Sequence, residues 1–424
     1  RQWREVRTFN ELHVPGVELL HLSLACNHCH DAPCMAQCPA RAYQRDPRTD
    51  AVLIDAEACL GCGYCAWACP YGAPRFDEAE GVMTKCTFCH EKLLGGGQPA
   101  CVTSCPTGAL DWRLVPEAEL TQDVPGFRQA GTDPCLQVVG VHPERRVPRQ
   151  TTPPALPPWQ RLWDQLTPYI TLAHEWPLAV FTMLVALLVG AFGAAQWGGP
   201  RPDGRLFAAA GLAGMVLSAS HLGRRARAWR AALHPDASWL SREVILFGLF
   251  LGLATAALMA APEFGEASRA IAGLGMVVLF VVDRVYHVTR IRGGGVLHSA
   301  HVLGTGLLLA AAWSRADLVL VTVALIKAVL YVARQIQRSR LGCAAPTGLT
   351  VPRLGFLAAG VGGILVSGDQ AAPLAAVALL LAGELIDRGL YYYELDVVTP
   401  ESEMLDELAR RPAAQGVFGE DGGD

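Results

Sequence analysis

From residue 176 onward the chain is a succession of apolar runs, eight in all, at 176–197, 206–221, 243–261, 267–288, 296–313, 318–333, 354–366 and 371–390. Each lies near the length of about 20 residues that a helix needs to cross a hydrocarbon core. The seventh is short and glycine-rich, and the sixth contains Lys327. Eight such runs in succession predict an all-α transmembrane bundle, because only a helix satisfies its own backbone polar groups in lipid. Before residue 141 the pattern differs: short alternating stretches such as VELLHLSLAC and VLIDAEAC predict strands feeding loops, and CAWACP predicts a short helix.

Charge orients the bundle. With eight crossings, the links on the starting side carry Arg224, Arg225, Arg227, Arg230, Arg242, Arg290, Arg292, Arg334, Arg338, Arg340 and Arg353, against Arg201, Arg205, Arg269 and Arg315 opposite. This excess predicts that the first domain and both termini face the cytoplasm at a plasma (inner) membrane. The chain has 424 residues, and a formal net charge of −4 with no basic-aromatic patch gives no reason to expect nucleic acid. Composition divides it into a cysteine-rich domain at 1–141, a proline-rich linker at 142–175, the membrane domain at 176–395 and a polar tail at 396–424.

Twelve of the 14 cysteines fall in three ladders: Cys26, Cys29, Cys34, Cys38; Cys59, Cys62, Cys65, Cys69; and Cys86, Cys89, Cys101, Cys105. Each ladder ends on a Cys-Pro step. A short cysteine loop wraps three irons of a cubane and leaves the fourth to a distant thiolate, which in paired ladders is the last cysteine of the partner. On that rule Cys26, Cys29, Cys34 and Cys69 hold one 4Fe-4S cluster, and Cys59, Cys62, Cys65 and Cys38 hold a second. Cys86, Cys89 and Cys101 then need a thiolate from an earlier ladder. The sequence opens on Arg1, and the expectation is that a preceding segment carries that ladder; the alternative is one cluster on Cys86, Cys89, Cys101 and Cys105 alone. Zinc ribbons also use Cys-x2-Cys pairs but give no reason for the Cys-Pro endings. Disulfides suit small secreted domains, and nothing here reads as a signal peptide. Cys135 and Cys343 stand alone as ordinary thiols. The fold class expected is an α+β ferredoxin-like multi-cluster domain followed by the eight-helix bundle.

The segments ACNHCHDAPCMAQCPARAY, ACLGCGYCAWACPYGAPRF, GVMTKCTFC and ACVTSCPTGAL together resemble the electron-transfer subunit of dimethyl-sulfoxide-reductase-type molybdoenzymes. The stretches SHLGRRARAWRAAL, SWLSREVILFG and GELIDRGLYYYEL resemble the anchor subunit of the same complexes, so the two subunits look fused. The resemblance implies four ladders in the electron-transfer subunit, a molybdopterin catalytic partner that performs substrate chemistry, and an anchor that exchanges electrons with quinone. The SWLSRE stretch and cytoplasmic placement are similar to cytoplasmic sulfite-oxidising relatives.

Quinol oxidation needs proton acceptors beside an apolar slot. His221 ends the second apolar run and Glu243 begins the third, at the same expected face as the clusters, and ionisable groups at membrane depth are functional candidates. Arg224 and Arg242 are the expected partners of Glu243 or of a quinone oxygen, and the resemblance associates the motif holding His221 and Glu243 with quinol binding. The bland readings are a helix cap for His221 and a lipid-facing belt for the arginines. Asp283, Glu384 and Asp387 read equally as structural pairs of Arg284 and Arg388. His287, His298 and His301 are weak haem ligands, since two share one helix. A redox-linked ion or proton translocator, invited by Lys327, is the second functional reading.

Overall fold

The computed structural model describes residues 3–9, 20–114, 116, 132–137, 172–260, 264–289, 301–340, 347–367 and 373–393. The chain divides into two compact units, one built on the cysteine ladders and one on the helical stretch Tyr169–Asp396. The linker expected at 142–175 lies outside the described residues as far as 171, as does the tail at 396–424.

The first unit contains three antiparallel hairpins: β1 (Glu5–Phe9) with β2 (Leu20–Leu24), β3 (Tyr43–Arg45) with β4 (Val52–Ile54), and β5 (Arg75–Asp77) with β6 (Val82–Thr84). Side-chain chemistry closes two of them. The Asp46 carboxylate accepts the N–H groups of Arg48 and Thr49 at 3.0 and 2.8 Å, and Asp77 accepts those of Ala79 and Glu80 at 3.0 and 3.2 Å. Such aspartate turns nucleate a hairpin without a long strand, and Gly81 takes the left-handed φ of 65° that the second turn requires.

Between the hairpins lie one-turn helices α1 (Pro33–Ala36), α2 (Tyr64–Ala68), α3 (His90–Leu94) and α4 (Ala100–Thr103). Cys34, Cys65 and Cys101 sit inside α1, α2 and α4. The chain then leaves each of these three helices at a Cys-Pro step, where proline cannot continue the hydrogen-bond ladder. Small side chains at Ala40, Ala42 and Ala51, all buried, let the ladder loops close on one another.

The second unit holds α5 (Leu172–Ala195), α6 (Gly204–Ser220), a 3-10 helix (Arg225–Ala232), α7 (Trp239–Ala260), α8 (Glu266–Tyr286), α9 (Val302–Trp313), α10 (Asp317–Arg340), α11 (Thr347–Val366) and α12 (Leu374–Tyr393). Four helices among the described residues are long and apolar enough to cross a membrane, or five if α6 and the 3-10 helix, bent by 108°, form one span. The protein is a multi-pass membrane protein with an α-helical anchor. Leu318, Val329, Val351, Val366 and Leu374 turn outward, as a lipid-facing surface requires.

Close helix approach depends on small residues. A Cβ on Gly190 of α5 would stand 3.0 Å from the Gly306 carbonyl oxygen of α9, and one on Gly360 of α11 would stand 2.7 Å from Leu380 of α12. Fully buried, Phe192 makes ring contacts with Phe207 and Phe250.

Three helix bounds differ from the hydrophobic pattern by six or seven residues. The run at 296–313 yields a described helix only from Val302, whose N–H and that of Leu303 are capped by the Asp283 carboxylate at 2.7 and 3.0 Å. α10 continues to Arg340 and α11 begins at Thr347, ahead of residue 354. In both cases a charged side chain was expected to mark a link, whereas Arg334 and Arg353 are buried within the helices. Hydrogen bonding ends a helix, and a compensated charge does not.

Candidate functional site

In the first unit an apolar pocket is lined by Cys26, Cys29, Cys34 and Cys69, together with Tyr71 and Lys85. Three of these thiols come from the first ladder and the fourth from the end of the second. Burial first, then the neighbouring Cys69 and Cys26 thiols, pushes the Cys29 thiol up to about 12. Burial likewise raises Cys69 to about 11. Thiols in such surroundings ionise only when a metal supplies positive charge, so the donor set fits an iron core that takes thiolate. Among the described residues no three His, Cys, Asp or Glu side chains gather about a single ion. Cys26, Cys29, Cys34 and Cys69 instead line one cavity, which suits a polynuclear cluster.

The wall of this pocket is electropositive and hydrogen-bonded. The buried Lys85 ammonium donates to the carbonyls of Val52 and Cys86, and Arg45 donates to those of Cys29 and His30 at 2.6 and 2.7 Å. Burial, followed by Lys85 and Arg45, holds His28 down to about 3. Its neutral ring accepts the Val52 N–H on Nδ1 at 3.0 Å. This leaves the positive charges of Lys85 and Arg45 to act on whatever anionic group the thiols hold.

The other two sets are tied through backbone N–H groups to sulfur, contacts that also tune cluster potentials. Ala42 and Met83 donate to Cys38 and Cys59, each at 3.4 Å, and Cys38 and Cys59 act on one another electrostatically. Phe88 donates to Cys86 and Ala100 to Cys89, both at 3.3 Å, the second bond tying Cys89 to the helix that carries Cys101. At the end of the third ladder the Thr107 hydroxyl pulls Cys105 down to about 7.

Sequence reasoning missed the strap formed by residues 132–137. It lies over the first ladder: His30 and Asp31 donate backbone N–H groups to the carbonyls of Asp133 and Thr132 at 2.8 and 3.2 Å, and Cys135 donates to Asn27 at 3.1 Å. The buried Thr132 hydroxyl shares a 2.7 Å hydrogen bond with Tyr71 and reaches the Cys29 thiol. No motif marks this segment. Cys135, read as an ordinary thiol, is exposed, and Cys343 lies outside the described residues.

In the second unit His221 follows the last residue of α6 and its Nδ1 bonds the Ser218 carbonyl. Glu243 lies in the first turns of α7 and is 5% exposed. Its charge partner is Arg388 of α12, and Arg388 also sits over the Tyr286 ring at 4.9 Å. The expected pairing of Arg242 with Glu243 does not occur. Arg242 turns back to the carbonyls of Pro235 and Asp236, both at 2.7 Å, and stacks on Trp239. Successive residues on a helix point about 100° apart, so Arg242 and Glu243 leave α7 in different directions. Arg224 precedes the 3-10 helix and is half-buried. Of the histidines weighed for haem, His287 and His301 flank α8 and α9, and His298 lies outside the described residues.

A second correction concerns the acidic residues of α12. Glu384 pairs with Lys327 at 2.9 Å and with Arg353 at 3.3 Å, and Asp387 pairs with Arg353 at 3.0 Å, in place of the Arg284 and Arg388 pairings expected from sequence. Four charges from α10, α11 and α12 thus meet inside the unit.

Residues 17–114 match the family described as 4Fe-4S dicluster domain, and residues 206–297 match the DMSO reductase anchor subunit family. Among individual relatives, an anaerobic dimethyl sulfoxide reductase chain of Escherichia coli (strain K12) is 46% identical over 98 residues, 23% of this chain and 47% of the relative. A sulfite dehydrogenase subunit of Allochromatium vinosum is 38% identical over 113 residues, 25% of this chain and 47% of the relative. The thiosulfate reductase electron transfer subunit PhsB of Salmonella typhi is 42% identical over 98 residues, 23% of this chain and 50% of the relative. The chain spans about half the length of these curated relatives. One chain therefore carries an iron-sulfur segment and an anchor segment, each similar to a subunit of a dimethyl sulfoxide reductase.

Proposed function

We propose that the chain relays electrons between membrane quinone and a molybdopterin catalytic subunit, through 4Fe-4S clusters held in its first unit. The observation that carries the reading is the pocket lined by Cys26, Cys29, Cys34 and Cys69, which is the set that the pairing of ladders demands. Cys38, Cys59, Cys62 and Cys65 would hold the neighbouring cluster. Cys86, Cys89 and Cys101 would bind a third. When bound, these clusters supply one-electron redox chemistry. The chain's own part is to exclude water from the sulfurs, donate N–H groups to them and set Lys85 and Arg45 beside the first pocket, which favours added negative charge.

In the second unit all eight α-helices would cross the membrane, with the cluster domain in the cytoplasm. Glu243 would take a proton from quinol, and the Arg388 charge beside it would offset the negative charge of its carboxylate. His221 stands at the end of α6 as the second proton acceptor. The relatives include a reductase and a dehydrogenase, and the same relay would serve either direction, set by the catalytic partner.

The test is to purify the membrane complex, identify its large subunit, and combine iron analysis with low-temperature EPR before and after adding quinol. Iron in cubane form that becomes reduced by quinol supports the reading. Zinc in the cysteine sites, or clusters indifferent to quinol, would overturn it.

A further inference from the structure

The ion cluster of the second unit belongs to neither matched segment, since Thr305, Lys327, Arg353, Glu384 and Asp387 all lie beyond residue 297. It is built from four helices. Lys327 Nζ of α10 donates to Glu384 Oε2 of α12 at 2.9 Å and to the Thr305 hydroxyl of α9 at 3.3 Å, and that hydroxyl also donates to Glu384. Arg353 of α11 donates through Nη2 alone, to Glu384 at 3.3 Å and to Asp387 at 3.0 Å. Arg353 is 0% exposed and Asp387 3%. Even so, Nε and Nη1 of Arg353 and Oδ1 of Asp387 have no hydrogen-bond partner among the described residues. Two positive and two negative groups balance, so charge compensation alone explains their burial. It does not explain three orphaned polar atoms on two facing side chains, each of which is costly when left unmet.

We propose that this cluster is a proton-exchange site that binds water. Water bridges the free nitrogens of Arg353 to the free oxygen of Asp387, a polar environment with enough partners to hold it. The Asp387–Glu384 carboxyl pair takes one proton through that water, whose O–H bond breaks as the carboxyl O–H bond forms and whose oxygen is re-protonated by a hydronium ion or by a proton released from quinol, and the reverse sequence returns it. The surroundings that set this equilibrium are Asp283 and His301 at the ends of α8 and α9, Lys327, Tyr331 and Arg334 of α10, and Arg388 of α12. Arg388 acts electrostatically on both Glu243 and Asp283, and Lys327 on Asp283, so buried charged groups link the quinol residues to the cluster. The inference therefore rests on the quinone reading for its traffic: each quinol sends two electrons to the clusters and leaves two protons in the helical unit.

Infrared difference spectra of the purified whole complex, titrated through neutral pH without quinol, test the site directly. A carboxylic C=O band that titrates, shifts in D2O and vanishes in Asp387→Asn is the expected result. In proteoliposomes the same variant should slow steady-state quinol oxidation about five-fold with a larger solvent isotope effect, while single-turnover cluster reduction by quinol persists. Thr305→Val, which removes one hydrogen bond from Glu384 and leaves every charge in place, should shift the band if Asp387→Asn fails to assemble. An assembled Asp387→Asn complex with an unchanged spectrum and full turnover, or an unmoved band in Thr305→Val, would overturn the proposal. A wild-type complex in which the band titrates but quinol reduces no cluster would sink the quinone reading and leave the proton site standing.

Discussion

The thiol pocket of the first unit and the ion cluster of the second are both buried polar sites, assembled in opposite ways. In the pocket, three of four groups lie within nine residues, from Cys26 to Cys34, and one residue type supplies them all. Chemistry there is written in local spacing. In the ion cluster Lys327, Arg353, Glu384 and Asp387 span three helices, and each charge is tolerated only because another arrives from a distant part of the chain. The pocket tolerates buried thiols because a neutral thiol is cheap to bury, whereas the cluster buries formal charges that would be costly alone. A local motif can wait for its cofactor; a distributed ion cluster must form together with the fold.

Four changes sharpen that contrast. The largest effect is expected for Cys34→Ser, which should remove one cluster from the iron count and interrupt the relay, while circular dichroism of the helical unit stays unchanged. Next, Glu243→Gln should slow quinol oxidation by about 100-fold, the lower end for loss of a general base, with iron content and EPR of the clusters intact. In the ion cluster, Lys327→Met should destabilise the helical unit by about 3–5 kcal/mol, because Glu384 loses one of its two cations. Adding Glu384→Leu should recover most of that loss in thermal unfolding, and a double variant no better than the single one would contradict a paired role. The smallest change is Thr132→Val, which should lower the midpoint potential of the Cys29 cluster by about 59 mV or less, a tenfold change for one electron. An EPR redox titration resolves it from the other clusters, which should not move.

Much of the first unit could be read from its residues. The short strands β2 and β4 fall within VELLHLSLAC and VLIDAEAC, and α2 overlaps CAWACP. Those elements are short, and turn residues such as Asp46 and Asp77 define them locally. The Thr132 strap was illegible because backbone groups make three of its contacts with the ladder, and any residue type supplies those. In the second unit the apolar runs located the helices, but the polar residues misled: Arg353 and Arg334 read as link charges, and Arg242 as the partner of Glu243. Arginine looks the same in a sequence at a lipid interface and inside an ion pair, and only the partner distinguishes the two.

Taken by itself, the order of residues determined that thiols come in ladders suited to iron cubes and that long apolar runs must become helices, because both follow from distances of a few residues along one chain. Tertiary structure decided which cation meets which carboxylate, how Glu243 comes to face Arg388, and which wall surrounds the first thiol pocket. Those outcomes depend on how helices far apart in sequence rotate and approach one another, a choice made by side-chain packing and charge compensation across the whole unit.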